Sequence, residues 1–255
     1  MLFRSPTGAP VCHAGPVMTT PEPTPSTGPH HPGAADRSGV RVHVATIDTA
    51  AATELCIRTM HRFAGHPFDL VVGDGGSKDG SLPMLRRFEH EGWLALTVAE
   101  GGRRHAEWLN LWMAECPARY AVFVDSDMEF RRAGWLADLV ATAERTGAAM
   151  VTSRIQTLDD KGHVGNDGAP WRWAPRPTPW LILVDLQQVQ GVVDTGWGFR
   201  LRPDPQREGG KIAYDTGAAF LEALDAQGLS WAAMPDGWSD CYHHYGGMTW
   251  VRHNK

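Results

Sequence analysis

Asp125, Ser126 and Asp127 close the apolar run Tyr120-Ala121-Val122-Phe123-Val124. On an extended chain, side chains two residues apart point the same way, so both carboxylates can face one cation. Mg2+ and Mn2+ take oxygen ligands and keep positions open for substrate phosphates. The chemistry open to such a pair is action on a metal-bound diphosphate. The same acids also suit a turn or the cap of a following helix, and this motif alone leaves both readings standing. A second acidic turn follows the earlier run Phe68-Asp69-Leu70-Val71-Val72 and reads Gly73-Asp74-Gly75-Gly76-Ser77-Lys78-Asp79-Gly80-Ser81. Asp74 stands at a strand end, the glycines let backbone approach a flat ligand, and Asp79 is placed to cap the next helix. The spacing is not that of a dinucleotide fingerprint. Nor is it a phosphate loop, because Ser81-Leu82 stands where Lys and Ser or Thr are needed. A plain Gly-rich connecting turn is the alternative.

The elements that must position these acids are readable from apolar periodicity. Strands are expected over residues 40–47, 68–73, 93–98 and 119–124, and helices over 50–63, 81–91 and 103–115. Alternating strands and helices with short connections predict a mostly parallel sheet covered on both faces. Ligands of such sheets bind beyond the C-terminal strand ends, where both acidic turns fall. After Trp135 the pattern loosens. A helix over 135–146 leads to a strand over 148–155, a polar Trp- and Pro-rich stretch over 159–179, and a strand over 180–186. An Arg-, Pro- and Gly-rich loop over 200–210 precedes a helix over 214–227, and the chain closes with Trp231 to Met234 and an aromatic run over 241–250. No internal repeat or linker interrupts residues 40–250.

Composition narrows the options. The chain has 255 residues, 42% hydrophobic, enough for one substantial core. Its 24 basic and 29 acidic residues leave a net charge of −5, so no general attraction to nucleic acid or anionic membrane follows. Cys12, Cys56, Cys116 and Cys241 lie far apart without a CxxC pair, which suits idle thiols in a reducing compartment better than a disulfide framework or zinc site. Residues 1–38 are rich in Pro, Thr, Gly and His and are expected to be a disordered tail. They lack the apolar segment of a secretory signal, and no apolar stretch is long enough to span a bilayer. His30 and His31 belong to that tail, and Met18 is an alternative start. A cytoplasmic setting is expected, with membrane contact at most peripheral.

In their order, these pieces resemble the GT-A fold, and in particular family 2 glycosyltransferases. Members carry a strand ending in a motif like D-N/D-G-S-x-D-G-S, then a helix, then a strand ending in D-x-D. Asp74 through Ser81 match the first motif, with Gly75 in place of the usual Asn or Asp, and Val122 through Asp127 match the second closely. Asn110 falls where the family often has Asn on the intervening helix. The resemblance covers residues 40–130 well and the remainder more thinly. It implies a single α/β domain over 39–255, with a nucleotide-binding N-terminal half and a variable acceptor-binding C-terminal half.

What the resemblance implies residue by residue is a nucleotide pocket lined by Thr46, Asp48, Asp74, Asn110 and Asp125. Asp74 would accept a hydrogen bond from the base, and Asp125 would lie near ribose and metal. Asp127 would bind Mn2+ or Mg2+ directly. The family's late His before glycines is matched by His244-Tyr245-Gly246-Gly247, making His244 a candidate ligand. Its acidic base, often in Glu-Asp, is matched by Tyr214-Asp215, with Tyr replacing Glu. Asp215 is therefore the candidate catalytic base, with a helix N-cap as the alternative. Arg103, Arg104, Arg200, Arg202, Arg207 and Lys211 are candidate diphosphate contacts or plain solvated charges. Trp171, Trp173, Trp180 and Trp197 cluster where an acceptor would enter. Trp171 and Trp173, in a polar loop, are candidates to stack on it.

The expected activity is transfer of a sugar from a UDP- or GDP-linked donor to an unknown acceptor hydroxyl, with inversion. A non-catalytic sugar-nucleotide-binding protein is one alternative. A haloacid-dehalogenase-type phosphatase using Asp125 as nucleophile is another, although that motif opens its fold and two strands would precede it here. A nucleotidyltransferase would need a basic Gly-rich loop after the first strand, which Thr46-Ile47-Asp48-Thr49-Ala50 is not. Phe130 stands where a calcium-binding EF-hand loop needs Gly, which excludes that motif.

Overall fold

The computed structural model describes residues 39–99, 101–156, 163–164, 170–189, 191–192, 202–207 and 210–248. The tail expected over 1–38 lies outside them, as do Trp197 and Arg200. The first half alternates as its periodicity predicts: β1 (Val40–Thr46), α1 (Ala50–Phe63), β2 (Asp69–Asp74), α2 (Ser81–His90), β3 (Ala95–Val98), α3 (His105–Glu115) and β4 (Tyr120–Asp125). Then come the short β5 (Met128–Phe130), α4 (Trp135–Thr146), β6 (Met150–Thr152), β7 (Ile155–Gln156), β8 (His163–Val164), β9 (Pro170–Trp173) and β10 (Arg176–Pro177). The chain continues through β11 (Leu181–Asp185), β12 (Arg202–Arg207), β13 (Gly210–Tyr214), α5 (Ala218–Ala226), β14 (Trp231–Ala233) and β15 (Tyr242–His244).

Seven strands form the central sheet in the order β14-β6-β11-β4-β1-β2-β3. β1 is parallel to β2 and β4, β2 to β3, and β6 to β14, while β11 runs antiparallel to both β4 and β6. The mostly parallel sheet expected from the sequence is thus present, with one reversed strand inside it.

Its strands are apolar on both faces because both faces are covered. Val42, Val44, Val122, Val124, Leu181 and Leu183 pack with Ile57 and Met60 of α1, Leu85 of α2 and Leu136 of α4. Their neighbours Ala121, Phe123, Ile182 and Val184 turn the other way, onto Trp108 and Trp112 of α3 and Phe220 and Leu224 of α5. Alternation at period two thus sends each strand's side chains into two separate cores. Gly73 is fixed by this packing: a Cβ there would lie 2.7 Å from Trp112 and 2.9 Å from Trp108.

The looser second half differs from expectation in several places, among them the polar stretch over 159–179, which contains β8, β9 and β10. The strand expected over 148–155 is interrupted, giving β6 and β7. The loop expected over 200–210 contains β12 and the start of β13, in a second sheet of order β12-β13-β9-β8. β12 carries Pro203 and Pro205 and is an edge of that sheet, where a missing backbone donor is tolerated. The helix expected from Tyr214 begins at Ala218, because Tyr214 ends β13 and Gly217, at φ 89°, turns the chain into α5. No described helix is long and apolar enough to cross a membrane.

Candidate active site

The C-terminal ends of β1, β2 and β4 lie side by side, with Thr46 in register with Asp74 and Ala45 with Asp125. Sheet topology therefore brings both acidic turns to one edge. A third element joins them from far along the chain. β15 pairs antiparallel with β5, and His244 stands opposite Met128, next to Asp127. His243 alternates to the exposed side.

At the end of β4 the side chains converge. His244 Nε2 lies 3.2 Å from Asp127 Oδ1 and 3.6 Å from Asp125 Oδ2. One ligand atom from each of Asp125, Asp127 and His244 can be chosen so that all three lie within 4.8 Å of one another. Two carboxylates and an imidazole that close suit a cation of the Mn2+ or Mg2+ kind with coordination positions left open. The turn or cap alternative for the two acids finds no such support, since each carboxylate faces side chains.

The turn itself is pinned by backbone. Asp125 N donates to the Trp180 carbonyl at 3.1 Å, and Tyr245 N donates to the Asp127 carbonyl at 3.1 Å. Cys56 Sγ donates to the Asp125 carbonyl at 3.6 Å. Ser126 Oγ lies 3.2 Å from Thr49 Oγ1, which joins a buried hydroxyl cluster with Thr46 and Thr53.

One member of this site escapes sequence reading. His105, the first residue of α3, has Nε2 3.2 Å from Asp125 Oδ1. Asp125 thus lies between two imidazoles. Burial works against the charged form of His105, but the carboxylate of Asp125, with Asp215 and Asp127 beyond it, outweighs burial and raises its pKa above the ordinary value. Burial likewise opposes the charge on Asp125, and His105, His244 and Arg176 overcome it and hold the carboxyl below the usual range. A polar residue opening a helix gives no signal of this kind; only the folded register of α3 beside β4 reveals it.

The other acidic turn is built differently. Asp74 is fully buried, and its Oδ1 accepts from Gly76 N and Ser77 N at 2.9 Å each. Its Oδ2 is buried with no hydrogen-bond partner among the described residues. Asp48 adopts φ 53°, and its Oδ1 accepts from Lys78 N at 2.5 Å and Asp79 N at 3.2 Å. Asp79 in turn accepts from Ser81 N at 2.8 Å and Ala50 N at 3.1 Å. These carboxylates stitch the β1 and β2 turns together through backbone amides. Thr46 gives its hydroxyl to the buried cluster and its carbonyl to Gly75 N.

Asp215 lies in the turn ahead of α5, not at its N-cap, which is Gly217. Its Oδ1 accepts from Thr216 N at 2.7 Å, and its Oδ2 is ion-paired with Arg176, whose Nε donates to Gln156 Oε1 at 2.9 Å. Asp215 bears on His105, and Arg176 on Asp125, so this pair borders the cluster. Asn110 is half-buried on α3. Trp171 and Trp173 fall on β9, in the second sheet and not in a loop. Arg103 lies over the Trp108 ring, 4.6 Å from its centroid.

A family model for Glycosyl transferase family 2 matches residues 42–208. Among solved structures, the chain is similar to a mannosyltransferase from Pyrobaculum calidifontis in complex with GDP-Man and Mn2+. That likeness has a TM-score of 0.54 at 19% identity and covers 79% of this chain and 56% of that one. It is also similar to glucosyl-3-phosphoglycerate synthase from Mycobacterium tuberculosis in complex with Mn2+, UDP and phosphoglyceric acid, with a TM-score of 0.50 at 15% identity, covering 77% and 68%. The same synthase with Mg2+ and UDP gives a TM-score of 0.50 at 14% identity, covering 82% and 72%. At such identities these likenesses concern the fold. No curated protein sequence matches the chain.

Proposed function

The chain belongs to glycosyl transferase family 2, and we propose that it moves a sugar from a UDP- or GDP-linked donor to an acceptor hydroxyl, using Mn2+ or Mg2+. The observation that carries this reading is the convergence of Asp125, Asp127 and His244 within 4.8 Å at the end of a central strand. A cation held there supplies positive charge against the departing nucleoside diphosphate. The solved relatives in complex with GDP-Man or UDP and a divalent cation support the same reading.

The chain's own residues divide the work. Asp127 and His244 would hold the cation. Asp125, oriented by His105, would lie near that ion and the ribose. Asp74 would receive the base through Oδ2, the oxygen that the backbone amides leave unpaired. Asp48 keeps the loop in shape, and Thr46 and Asn110 border the nucleotide. Asp215 takes the proton of the acceptor hydroxyl as its oxygen attacks the anomeric carbon, so a single displacement inverts the configuration. Trp171 and Trp173 are the candidates to stack on the acceptor. Residues 39–255 form one transferase domain in this reading.

Titration of UDP- and GDP-sugars with and without Mn2+ identifies the donor, since a true ligand raises the unfolding midpoint. Asp127→Ala is expected to abolish metal-dependent donor hydrolysis, and unchanged hydrolysis refutes the reading. Asp215→Asn is expected to keep donor binding while transfer falls about 10²- to 10⁴-fold. The ion pair of Asp215 with Arg176 favours one second reading, a sugar-nucleotide-binding protein without catalysis, because a paired carboxylate is less available as a base. Metal-dependent stabilisation by a donor without hydrolysis or transfer would select that reading.

A further inference from the structure

We propose that Trp180 is a positioning residue of the cation site, which holds His244 against Asp127. The proposal rests on the reading of Asp125, Asp127 and His244 as that site. Trp180 immediately precedes β11, whose antiparallel register sets Leu181 opposite Val124. Its carbonyl accepts the Asp125 N–H at 3.1 Å, fixing its backbone to the strand that carries the first carboxylate. Its ring stacks on His244 with centroids 4.5 Å apart and planes 26° from parallel. Its indole N–H donates to Tyr242 Oη at 3.2 Å, two residues before His244 on β15.

The anchoring continues inward. Tyr242 Oη donates to Ser153 Oγ at 2.9 Å, Ser153 Oγ lies 2.6 Å from Thr178 Oγ1, and that hydroxyl lies 2.9 Å from Thr152 Oγ1. Trp180 is therefore held by its backbone, its ring face and its N–H at once. His244 needs such support. It ends a three-residue strand, and Gly246 and Gly247, both at φ 65°, follow one residue later. So short an element leaves the two side-chain torsions of His244 to be set by what lies against the ring. One residue thus joins the strand that ends in Asp125 to the strand carrying the imidazole. Partners that orient a metal ligand are commonly worth 10- to 100-fold in metal affinity.

Mn2+ alone, titrated into the full chain and followed by electron paramagnetic resonance of the free ion, tests this. Trp180→Leu removes the ring face and is expected to weaken Mn2+ about 10- to 100-fold. Trp180→Phe keeps a ring face and should stay near the parent affinity. Because Trp180 acts through His244, Trp180→Leu should add nothing further to His244→Ala. A merely structural role would lower the unfolding midpoint without this coupling or the Phe rescue. If the Leu variant does not fold, Trp180→Met, apolar and ringless, is read the same way. Parent-like Mn2+ affinity in the ringless variant, or additive losses in the double variant, would overturn the proposal and leave the cation site standing. If His244→Ala alone leaves Mn2+ affinity unchanged, the ligand role of His244 falls and this inference falls with it.

Discussion

Two acidic turns stand at the ends of β2 and β4, the strands on either side of β1, and they treat the same side chain in opposite ways. At the β2 turn, Asp74, Asp48 and Asp79 accept hydrogen bonds from backbone amides of residues 76, 77, 78, 79, 81 and 50. At the β4 turn, Asp125 and Asp127 face each other and the rings of His105 and His244. The first turn builds a loop, and the second gathers like charges that the fold alone has no reason to bring together. A carboxylate oxygen between amides is satisfied, as Oδ1 of Asp74 is, which leaves only Oδ2 of that residue for a ligand. Two carboxylates converging on one point repel unless a positive charge joins them. What separates structure from chemistry is the kind of partner, not the residue type or its place on the strand.

The sharpest way to break this contrast is Asp127→Asn. It keeps shape and removes charge. Donor turnover is expected to fall on the order of 10³-fold, about 4 kcal/mol of transition-state stabilisation. Stability toward urea should hold or rise slightly, because a like-charge contact is relieved. A variant that unfolds more easily and still turns over donor would place Asp127 with the loop-building acids.

The converse substitution acts on the other turn. Asp74→Ala leaves Gly76 N and Ser77 N without their acceptor. Gly76 is exposed and Ser77 half-buried, so water recovers part of the loss. A destabilisation of about 2 kcal/mol in urea unfolding is expected. Mn2+ affinity should be unchanged, since no Asp74 atom belongs to the cluster. Loss of Mn2+ binding without loss of stability would erase the distinction between the turns.

How much of this was legible in the chain depends on how far apart the partners lie. Strands β1, β2 and β4, and the two acidic turns at their ends, follow from apolar runs that stop on Asp74 and Asp125, a local signal. His244 was flagged by its neighbours Gly246 and Gly247, but its place beside Asp127 depends on the pairing of β15 with β5, which no local pattern encodes. His105 carried no signal at all, because its partner Asp125 lies across the α3–β4 connection and a polar helix start is unremarkable. Trp180 was grouped with the acceptor-side aromatics, since a Trp near Pro179 reads alike whether it meets a sugar or an imidazole. The pairing of Asp215 with Arg176 joins residues 39 apart through two sheets that sequence periodicity does not relate. The Pro-bearing β12 has no local signal, because Pro argues against strands in general and only topology makes it an edge.

The histidines carry the same contrast into the core. His105 and His244 face carboxylates, whereas His43 of β1 lies between Trp112 and Phe123, with ring centroids 4.9 and 5.7 Å away. Neither of its ring nitrogens has a hydrogen-bond partner among the described residues. Burial, aided by Arg41, lowers its pKa from 6.5 to about 3. The folded protein thus keeps this ring neutral at pH values where the unfolded chain protonates it. Below pH 6.5 the unfolded state binds more protons, so stability contributed at neutral pH is lost as pH falls toward 3, by up to about 1.4 kcal/mol per pH unit. His43→Leu removes the group. Whatever the substitution costs in packing at neutral pH, urea unfolding between pH 7.5 and 5 should lose stability less steeply in the variant than in the parent. The difference between the two curves should shift in the variant's favour by about 1.4 kcal/mol for each unit well below 6.5. Parallel curves would mean that His43 is protonated in the folded state, and that a partner for it exists in the interior.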